Sequence, residues 1–449
     1  MLRCGSQRRG LLSRYVTCYL LLVTCYLLIV NQRTVRIRKE VLDIMEYVSG
    51  GVCAAKGFRA SGMHVGIKTN NADKKDLALI VADCDCAAAA VYTQNVVKAA
   101  PLHITKEHLG NGRARAVLVN SGNANACAPN GEENARRSCV AAAAALGMDA
   151  SDIIVASTGV IGQKLPVEII ENNVAALASK LSYDGSQDAA AAIMTTDLAM
   201  KELALEFELG GKTVRLGGIA KGSGMIHPNM GTMLAFLTTD CAISTEMIGK
   251  ALIGATNVSF NRISVDGDTS TNDMLSLMAS GLAGNTEITG PGADYDAFTE
   301  ALNSLCVELE KKMAADGEGA THLITCHVRG AKSELDAETL SKSVISSTLT
   351  KAMIFGADAN FGRALCAMGY SGVDFDQYSV DIAFESNAGR IIVCEKGRGL
   401  PFDETLAKEI LTEHDITIDI AMSAGGAECT CWGCDITYDY IKINGDYRS

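Results

Sequence analysis

The chain has 449 residues, of which 48% are hydrophobic and 20% are charged, with 43 glycines, 6 prolines and 16 cysteines. This length allows two to three domain-sized units with a large buried core, and the low proline content argues against a disordered protein. Residues 1–44 carry a net charge of +6, whereas the remainder holds 32 of the 40 basic and 50 of the 52 acidic residues. A body with a net charge of −18 argues against binding to nucleic acid.

The N-terminal segment differs from the body. Residues 15–30 form an uncharged, mostly apolar run that is shorter than the roughly 20 residues needed to cross a bilayer. Asn31-Gln32-Arg33 follows it, in place of the small residues of a signal-peptide cleavage site. A membrane anchor, a signal sequence and an extension ahead of a true start at Met45 all remain open. We expect residues 1–44 to lie outside the fold and the protein to make no membrane contact.

The cysteines predict a reducing environment. Thirteen of them lie after residue 44, scattered through apolar stretches, as buried thiols of cytoplasmic proteins are. Clusters at 84–86 and 429–434 lack the two separated pairs typical of zinc sites, and the second runs into a predicted strand at 436–443. We therefore expect structural thiols, no metal and a cytoplasmic location.

From Gly50 onward, strand and helix patterns alternate, which predicts layered α/β architecture. Pro166 opens one of the helices, since proline is favoured in the first helical turn. Strands are predicted at 116–120, 152–156, 213–220, 233–239, 321–328, 378–394 and 416–422, and helices at 135–148, 166–181, 244–256, 295–315, 336–354 and 403–413.

A glycine-rich loop at 221–231 leads directly into the predicted strand at 233–239, with Thr232 at the junction. If the bond before Thr232 is broken, its freed α-amine can accept the proton of its own hydroxyl and so activate a nucleophile. Thr158 and Gly159 follow another strand and offer a hydroxyl and an N–H to an oxyanion. Spacing alone favours the simpler interpretation of a tight turn, with threonine as a strand former.

Nine motifs that occur in order along the chain favour the nucleophilic threonine over the tight turn. Together they resemble the ornithine acetyltransferase (glutamate N-acetyltransferase) family of arginine biosynthesis, from about residue 48 to the C-terminus. The motifs lie at 50–52 with 56–62, 120–126, 157–162, 194–197, 221–240, 266–273, 316–321, 356–363 and 432–444.

The resemblance implies an enzyme that cuts itself between Gly231 and Thr232. The products would be an α chain, 45–231, and a β chain, 232–449, intertwined in layered sheets and helices and assembled as a heterotetramer of two α and two β chains. Thr232 would take the acetyl group of N2-acetyl-L-ornithine and pass it to L-glutamate by a ping-pong mechanism. No metal or cofactor is implied.

The resemblance also implies site residues. Thr158 and Gly159 would form the oxyanion hole beside the nucleophile Thr232. Both substrates carry an α-carboxylate that a lysine and hydroxyls can hold, and an acid can pair with the ornithine ammonium. The implied substrate-binding positions are Thr195, Lys221, Thr232, Glu318, Asn444 and Ser449.

Some residues depart from the family pattern or have a simpler explanation. Gly231 replaces the usual alanine, which relaxes the peptide before the nucleophile and predicts slower cleavage. Ser449 replaces threonine and keeps the hydroxyl. We expect His227 to be structural, because the N-terminal amine already serves as base. Asp266 and Asp268 lack the glutamate of a calcium loop and are expected to be turn residues.

Four functional alternatives remain open. The enzyme would also accept acetyl-CoA if it is bifunctional, or only recycle the acetyl group of acetylornithine if it is monofunctional. A related self-cleaving amidase or aminopeptidase would use water as the acceptor. A binding protein tethered by residues 1–44 would be no enzyme at all.

Overall fold

The computed structural model describes residues 45–69, 74–227 and 233–445. The chain divides into two units between Glu46 and Tyr47, and the architecture below is that of the second. A search of the described residues finds no helix with the length and apolar character needed to cross a membrane. The predictions made for residues 1–44, for the Gly231–Thr232 bond and for Ser449 lie outside the described residues.

The strands of the described residues belong to two sheets. They are β1 (Glu46–Val48), β2 (Phe58–Met63), β3 (Leu77–Tyr92), β4 (Arg113–Asn120), β5 (Ile153–Ser157), β6 (Lys201–Leu209), β7 (Lys212–Lys221), β8 (Leu234–Thr239), β9 (Ile263–Ser264), β10 (Met274–Ala279), β11 (Leu323–Ala331), β12 (Asp381–Ser386), β13 (Gly389–Glu395), β14 (Arg398–Gly399), β15 (Asp415–Ala421) and β16 (Ala427–Cys434).

Helices separate many of these strands. They are α1 (Ala100–His108), α2 (Gly131–Leu146), α3 (Val167–Ala178), α4 (Ser186–Ile193), α5 (Thr245–Val258), α6 (Ala293–Ala315), α7 (Glu334–Ser346), α8 (Thr348–Phe355), α9 (Phe361–Gly369), α10 (Glu404–Thr412) and α11 (Tyr438–Gly445).

The first sheet weaves together the parts of the chain before and after residue 232. Its order is β1-β6-β7-β8-β10-β3-β4-β5, with β2 also paired to β3. β8 pairs antiparallel with β7 and parallel with β10, and β10 pairs antiparallel with β3. Two strands from the second part thus lie between strands of the first, and the predicted intertwining is confirmed.

Helices cover both faces of this sheet. Alternate residues of a strand point to opposite faces, and along β3 they join two separate cores. Ala78 and Ile80 pack in one cluster with α4, whereas Leu77 and Leu79 pack in another with α2 and α3. The second sheet has the order β14-β13-β12-β15-β11-β16-β9, and α7, α9 and α10 pack against its core. This arrangement confirms the predicted layered α/β class.

Two predicted elements are each divided in the structure. The strand predicted at 378–394 is the hairpin of β12 and β13, which pair antiparallel up to Ser386 and Gly389. The helix predicted at 336–354 is α7 followed by α8. Ser347 separates these helices because its backbone is extended, and its side chain accepts a hydrogen bond from the Thr350 N–H at 3.3 Å, capping α8.

The strand predicted at 436–443 is wrong. The strand is β16, which ends at Cys434, and α11 follows it. The Thr437 hydroxyl accepts a hydrogen bond from the Tyr440 N–H at 3.4 Å, so it caps a helix in a segment that an alternating apolar pattern predicted to be a strand.

The thirteen cysteines after residue 44 are all free thiols. Nine of them are buried, and Cys127 and Cys366 are exposed.

Candidate active site

A cavity of about 270 Å³ lies where loops from both parts of the chain meet the first sheet. Met233 and Leu234, which follow Thr232 directly, also line it. Thr232 and Ser449 themselves lie outside the described residues. The predicted site residues that the structure brings together here are Thr158, Gly159, Thr195, Lys221, Glu318 and Asn444.

Lys221 ends β7 and carries its amine into the cavity, where the residue is only 9% exposed. Its Nζ donates to the Thr158 hydroxyl oxygen at 3.4 Å. Burial lowers the pKa of Lys221, and the carboxylate of Asp197 acts in the opposite direction. Because the hydroxyl accepts from Lys221, its own hydrogen remains available to a substrate oxygen.

The loop after β5 presents a backbone donor beside this hydroxyl. Gly159 has φ +127°, and a Cβ there would lie 2.8 Å from the carbonyl carbon of Gly122, so only glycine fits. Within the part of the chain that is described, its N–H has no hydrogen-bond partner. Asn272 holds the loop by donating to the Ser157 and Ala124 carbonyls at 2.7 and 2.6 Å. The arrangement offers two donors to one oxyanion.

Glu318 supplies a negative charge to the cavity. The residue is 7% exposed, and its Oε2 accepts a hydrogen bond from Asn444 Nδ2 at 2.8 Å. Its backbone N–H donates to the Ser223 carbonyl at 2.8 Å, which fixes the loop that carries it. Gly224 lies so close that a Cβ there would be 2.3 Å from Glu318 Oε2. This carboxylate is suited to an ammonium group of a ligand.

Asp197 lies behind the cavity wall and is 2% exposed. Its Oδ1 accepts hydrogen bonds from Lys201 Nζ at 2.6 Å and from the Gly222 N–H at 2.7 Å, and its Oδ2 accepts one from the Thr195 N–H at 2.9 Å. Burial acts to raise the pKa of Asp197, but the charges of Lys221 and Lys201 outweigh it and hold the pKa below its usual range. One carboxylate thus positions two segments of the cavity lining.

The sequence motif at 266–273 did not predict a role for Asp273, which lines the cavity. This residue is almost fully buried, and its Oδ2 is an orphan among the described atoms. Burial raises the pKa of Asp273 well above its usual range, against smaller lowering effects of Ser270 and Lys221. Burial thus disfavours the charged form of this carboxyl group, and the protonated form of a carboxyl group is able to donate a hydrogen bond. In the sequence, only the position of Asp273 within this motif could have indicated a role for it. Its pKa depends on burial, which the sequence does not show.

His227 and Asp266 occupy supporting positions, as expected. The His227 Nδ1 is 3.0 Å from the Ser264 hydroxyl, and burial lowers the pKa of His227 to about 4, so the ring is neutral near pH 7. Asp266 accepts hydrogen bonds from the N–H groups of Met225 and Ile226 at 2.6 and 2.9 Å. In the described ranges, no group of three or more His, Cys, Asp or Glu side chains is arranged to hold a metal ion.

The cavity brings together a buried amine, a hydroxyl and an N–H donor, and a carboxylate, an arrangement that is able to hold charged groups of a small ligand and to stabilise an oxyanion. Comparisons agree: the sequence profile of the ArgJ family matches residues 59–449. The arginine biosynthesis bifunctional protein ArgJ of Symbiobacterium thermophilum is 48% identical over 406 residues, which are 90% of this chain and 100% of that protein. That of Caldanaerobacter subterraneus subsp. tengcongensis is 47% identical with the same coverage.

A solved structure of ornithine acetyltransferase complexed with ornithine, from Mycobacterium tuberculosis, is 41% identical and covers 41% of this chain and 99% of its own, with a TM-score of 0.39. The chain belongs to the ArgJ family. It is an acyltransferase of arginine biosynthesis.

Replacing Asp197 by Asn removes one of the two carboxylates that compensate the buried charge of Lys201, and we expect the free energy of unfolding to fall by about 3 kcal/mol at pH 7. A carboxyl group with a depressed pKa stabilises the fold above its unfolded pKa of about 4, and this stabilisation is lost as the pH falls. The difference between wild type and D197N should therefore shrink below about pH 4. Urea unfolding at several pH values measures it.

The control is Glu246→Gln, which removes another acid four residues before a lysine, Lys250, but in an exposed ion pair. Because both side chains are exposed to solvent, we expect E246Q to leave the free energy of unfolding nearly unchanged at every pH. Equal effects of E246Q and D197N would contradict the role assigned to the buried carboxylate.

Proposed function

We propose that this protein transfers the acetyl group of N2-acetyl-L-ornithine to L-glutamate through an acetyl ester on Thr232. The observation that carries the proposal is the single cavity that gathers Thr158, Gly159, Thr195, Lys221, Glu318 and Asn444 beside the two residues that follow Thr232.

Substrate binding follows from the charges that line the cavity. Lys221 and the Thr195 hydroxyl are suited to the α-carboxylate that both substrates share. Glu318, hydrogen-bonded to Asn444, is suited to the side-chain ammonium of acetylornithine. A ping-pong reaction requires the two substrates to occupy this cavity in turn, and both can use the same carboxylate-binding groups.

The chemistry has two balanced halves. The Thr232 Oγ attacks the acetyl carbonyl and gives its proton to its own α-amine, while the Thr158 hydroxyl and the Gly159 N–H stabilise the oxyanion. The amide C–N bond then breaks, and the ornithine nitrogen takes that proton as it leaves. In the second half, the glutamate amine attacks the ester, its proton passes through the α-amine, and the Thr232 hydroxyl is restored.

The proposal includes acetyl-CoA as a further acetyl donor and requires no metal or cofactor. The relatives from Symbiobacterium thermophilum and Caldanaerobacter subterraneus subsp. tengcongensis are named as bifunctional proteins, which favours a second donor over the monofunctional alternative. Free thiols such as Cys326 and Cys431, directly opposite each other on β11 and β16, favour a cytoplasmic location.

The proposal also includes self-cleavage into chains 45–231 and 232–449 that assemble as two α and two β chains. We expect two bands on a denaturing gel, and mass spectrometry should identify them as the two chains. We also expect slow cleavage, because Gly231 replaces alanine. Thr232→Ala removes the attacking hydroxyl, so this variant should remain a single chain. A wild-type protein that stays intact would contradict the proposed cleavage.

The main test is an assay with acetylornithine in the presence and absence of glutamate. We expect N-acetylglutamate to form, and Thr158→Val to lower kcat by roughly 10²- to 10³-fold because one oxyanion donor is lost. Thr339→Val, in α7 and outside the cavity lining, is the matched control and should keep full activity. Release of acetate without formation of acetylglutamate would support the amidase instead.

Gly224→Ala tests the position of Glu318, because the added Cβ would meet its carboxylate. We expect the KM for acetylornithine to rise by about tenfold or more, since a charged contact is displaced, with little loss of stability. Gly249→Ala is the control, because a Cβ at this α5 position meets nothing within 4 Å. Steady-state kinetics that leave G224A unchanged would contradict the assigned role of Glu318.

A further inference from the structure

Three buried charged side chains meet behind the wall of the cavity. Lys201, the first residue of β6, is 1% exposed, and its Nζ donates hydrogen bonds to the carboxylates of Asp197 and Asp316. We name these three residues the Asp–Lys–Asp triad. None of these described side chains lines the cavity. Asp197 and Lys201 precede residue 232 and Asp316 follows it, so the triad joins the two parts of the chain.

Asp316 occupies the C-cap position of α6, where the helix dipole disfavours a negative charge. Its carboxylate is held by groups from the other part of the chain. The backbone N–H groups of Leu198 and Ala199 donate to its Oδ2 at 3.1 and 3.3 Å, and the Lys201 ammonium adds a third contact. The position of this acid is therefore set by the segment that leads into β6 and not by its own helix.

One end of the triad fixes the groups that are predicted to hold the substrate carboxylate. Asp197 accepts hydrogen bonds from the N–H groups of Thr195 and Gly222 at 2.9 and 2.7 Å. Thr195 is one of the predicted carboxylate ligands, and Gly222 directly follows the other, Lys221. The backbone at both predicted ligands is thus tied to the same buried acid.

The other end of the triad leads to the acid that is predicted to bind the side-chain ammonium. Only Gly317 separates Asp316 from Glu318. The Glu318 N–H donates to the Ser223 carbonyl at 2.8 Å, and the hydroxyl oxygens of Ser223 and Thr196 lie 2.7 Å apart. The loop that carries Glu318 is therefore tied to the other part of the chain twice, once through Asp316 and once through Ser223.

We propose that the Asp–Lys–Asp triad sets the distance between the carboxylate-binding and the ammonium-binding groups of the cavity, and so selects an acetylated diamino acid by the length of its side chain. This selection rests on the proposed function, which assigns the two groups to acetylornithine. Lys201 and Asp316 are positioning residues, because they lie outside the cavity lining and act through Glu318. A buried ion pair adds little net stability, whereas it can hold two segments in one arrangement.

The length of the side chain matters because its two charged ends bind to separate groups. Ornithine has three methylenes between its α-carbon and its ammonium. With the spacing held fixed, one methylene more or fewer displaces the ammonium from the Glu318 carboxylate or the carboxylate from Lys221. A difference of one methylene typically changes kcat/KM by roughly 10- to 200-fold.

The experiment compares kcat/KM for N2-acetyl-L-ornithine with that for N2-acetyl-L-lysine, which is one methylene longer, and for N2-acetyl-L-2,4-diaminobutyrate, which is one shorter, with glutamate as acceptor. We expect the wild type to prefer acetylornithine over both by about tenfold or more. In Asp316→Asn the preference should fall by roughly tenfold, because Glu318 is no longer held in one position.

A milder variant and a control accompany D316N. Ser223→Ala removes only one hydroxyl from the second connection, and we expect the preference to fall by about threefold while the protein still folds. Glu308→Gln is the control, because it removes another acid of α6 that forms an exposed ion pair with Lys311. We expect E308Q to keep the wild-type preference.

The ratio of kcat/KM values separates positioning from a merely structural role. A loss of folded enzyme lowers the activity with every donor by the same factor and leaves the ratio unchanged. An unchanged ratio in D316N and S223A would therefore overturn the proposed selection, and S223A alone decides if D316N does not fold. A wild type that uses all three donors equally would overturn it and leave the proposed function standing. Absence of transfer from every donor would contradict the proposed function, and the selection with it.

Discussion

The buried carboxylate of Asp197 is the interaction on which the site depends. It joins the Lys201 ammonium to the backbone N–H groups of Thr195 and Gly222, and Lys201 also pairs with Asp316. Two acids around one buried amine compensate its charge, so the cluster is tolerated inside the protein. The same hydrogen bonds fix the backbone of Thr195 and Gly222, which line the cavity together with Lys221. The shape of the cavity around Lys221, the residue predicted to bind a substrate carboxylate, therefore depends on the compensated charges behind the cavity wall.

The strand order of the first sheet is the second constraint on the site. β8 lies between β7 and β10, and the strand after Thr232 therefore pairs on both sides. A chain that begins at Thr232 would keep these hydrogen bonds, because cleavage breaks one peptide bond and no strand pair. Asn272 connects this half to the loop after β5 through its two hydrogen bonds. The strand that follows residue 232 and the loop that carries Thr158 and Gly159 thus come from different parts of the chain and are joined through one sheet.

The sequence predicted most of the fold and the composition of the site. Elements with clear periodicity, such as β4, β5 and α6, lie within a few residues of their predicted bounds. The six predicted site residues that lie in the described parts of the chain, from Thr158 to Asn444, all line one cavity. The break at Ser347 and the helix α11 were missed because a single capping hydroxyl decides each against an otherwise continuous pattern. The chemistry of Asp273 was missed because burial, which sets its pKa, arises only from tertiary packing.

We propose above all that Thr232 carries the acetyl group between the two substrates. The most direct measurement is mass spectrometry of the protein after incubation with acetylornithine in the absence of glutamate, with rapid acid quench. We expect one added acetyl group on the hydroxyl of an N-terminal Thr232, and we expect it to disappear when glutamate is added. An acetyl group on Lys221, or an enzyme that forms acetylglutamate while Thr232 is never acetylated, would contradict it.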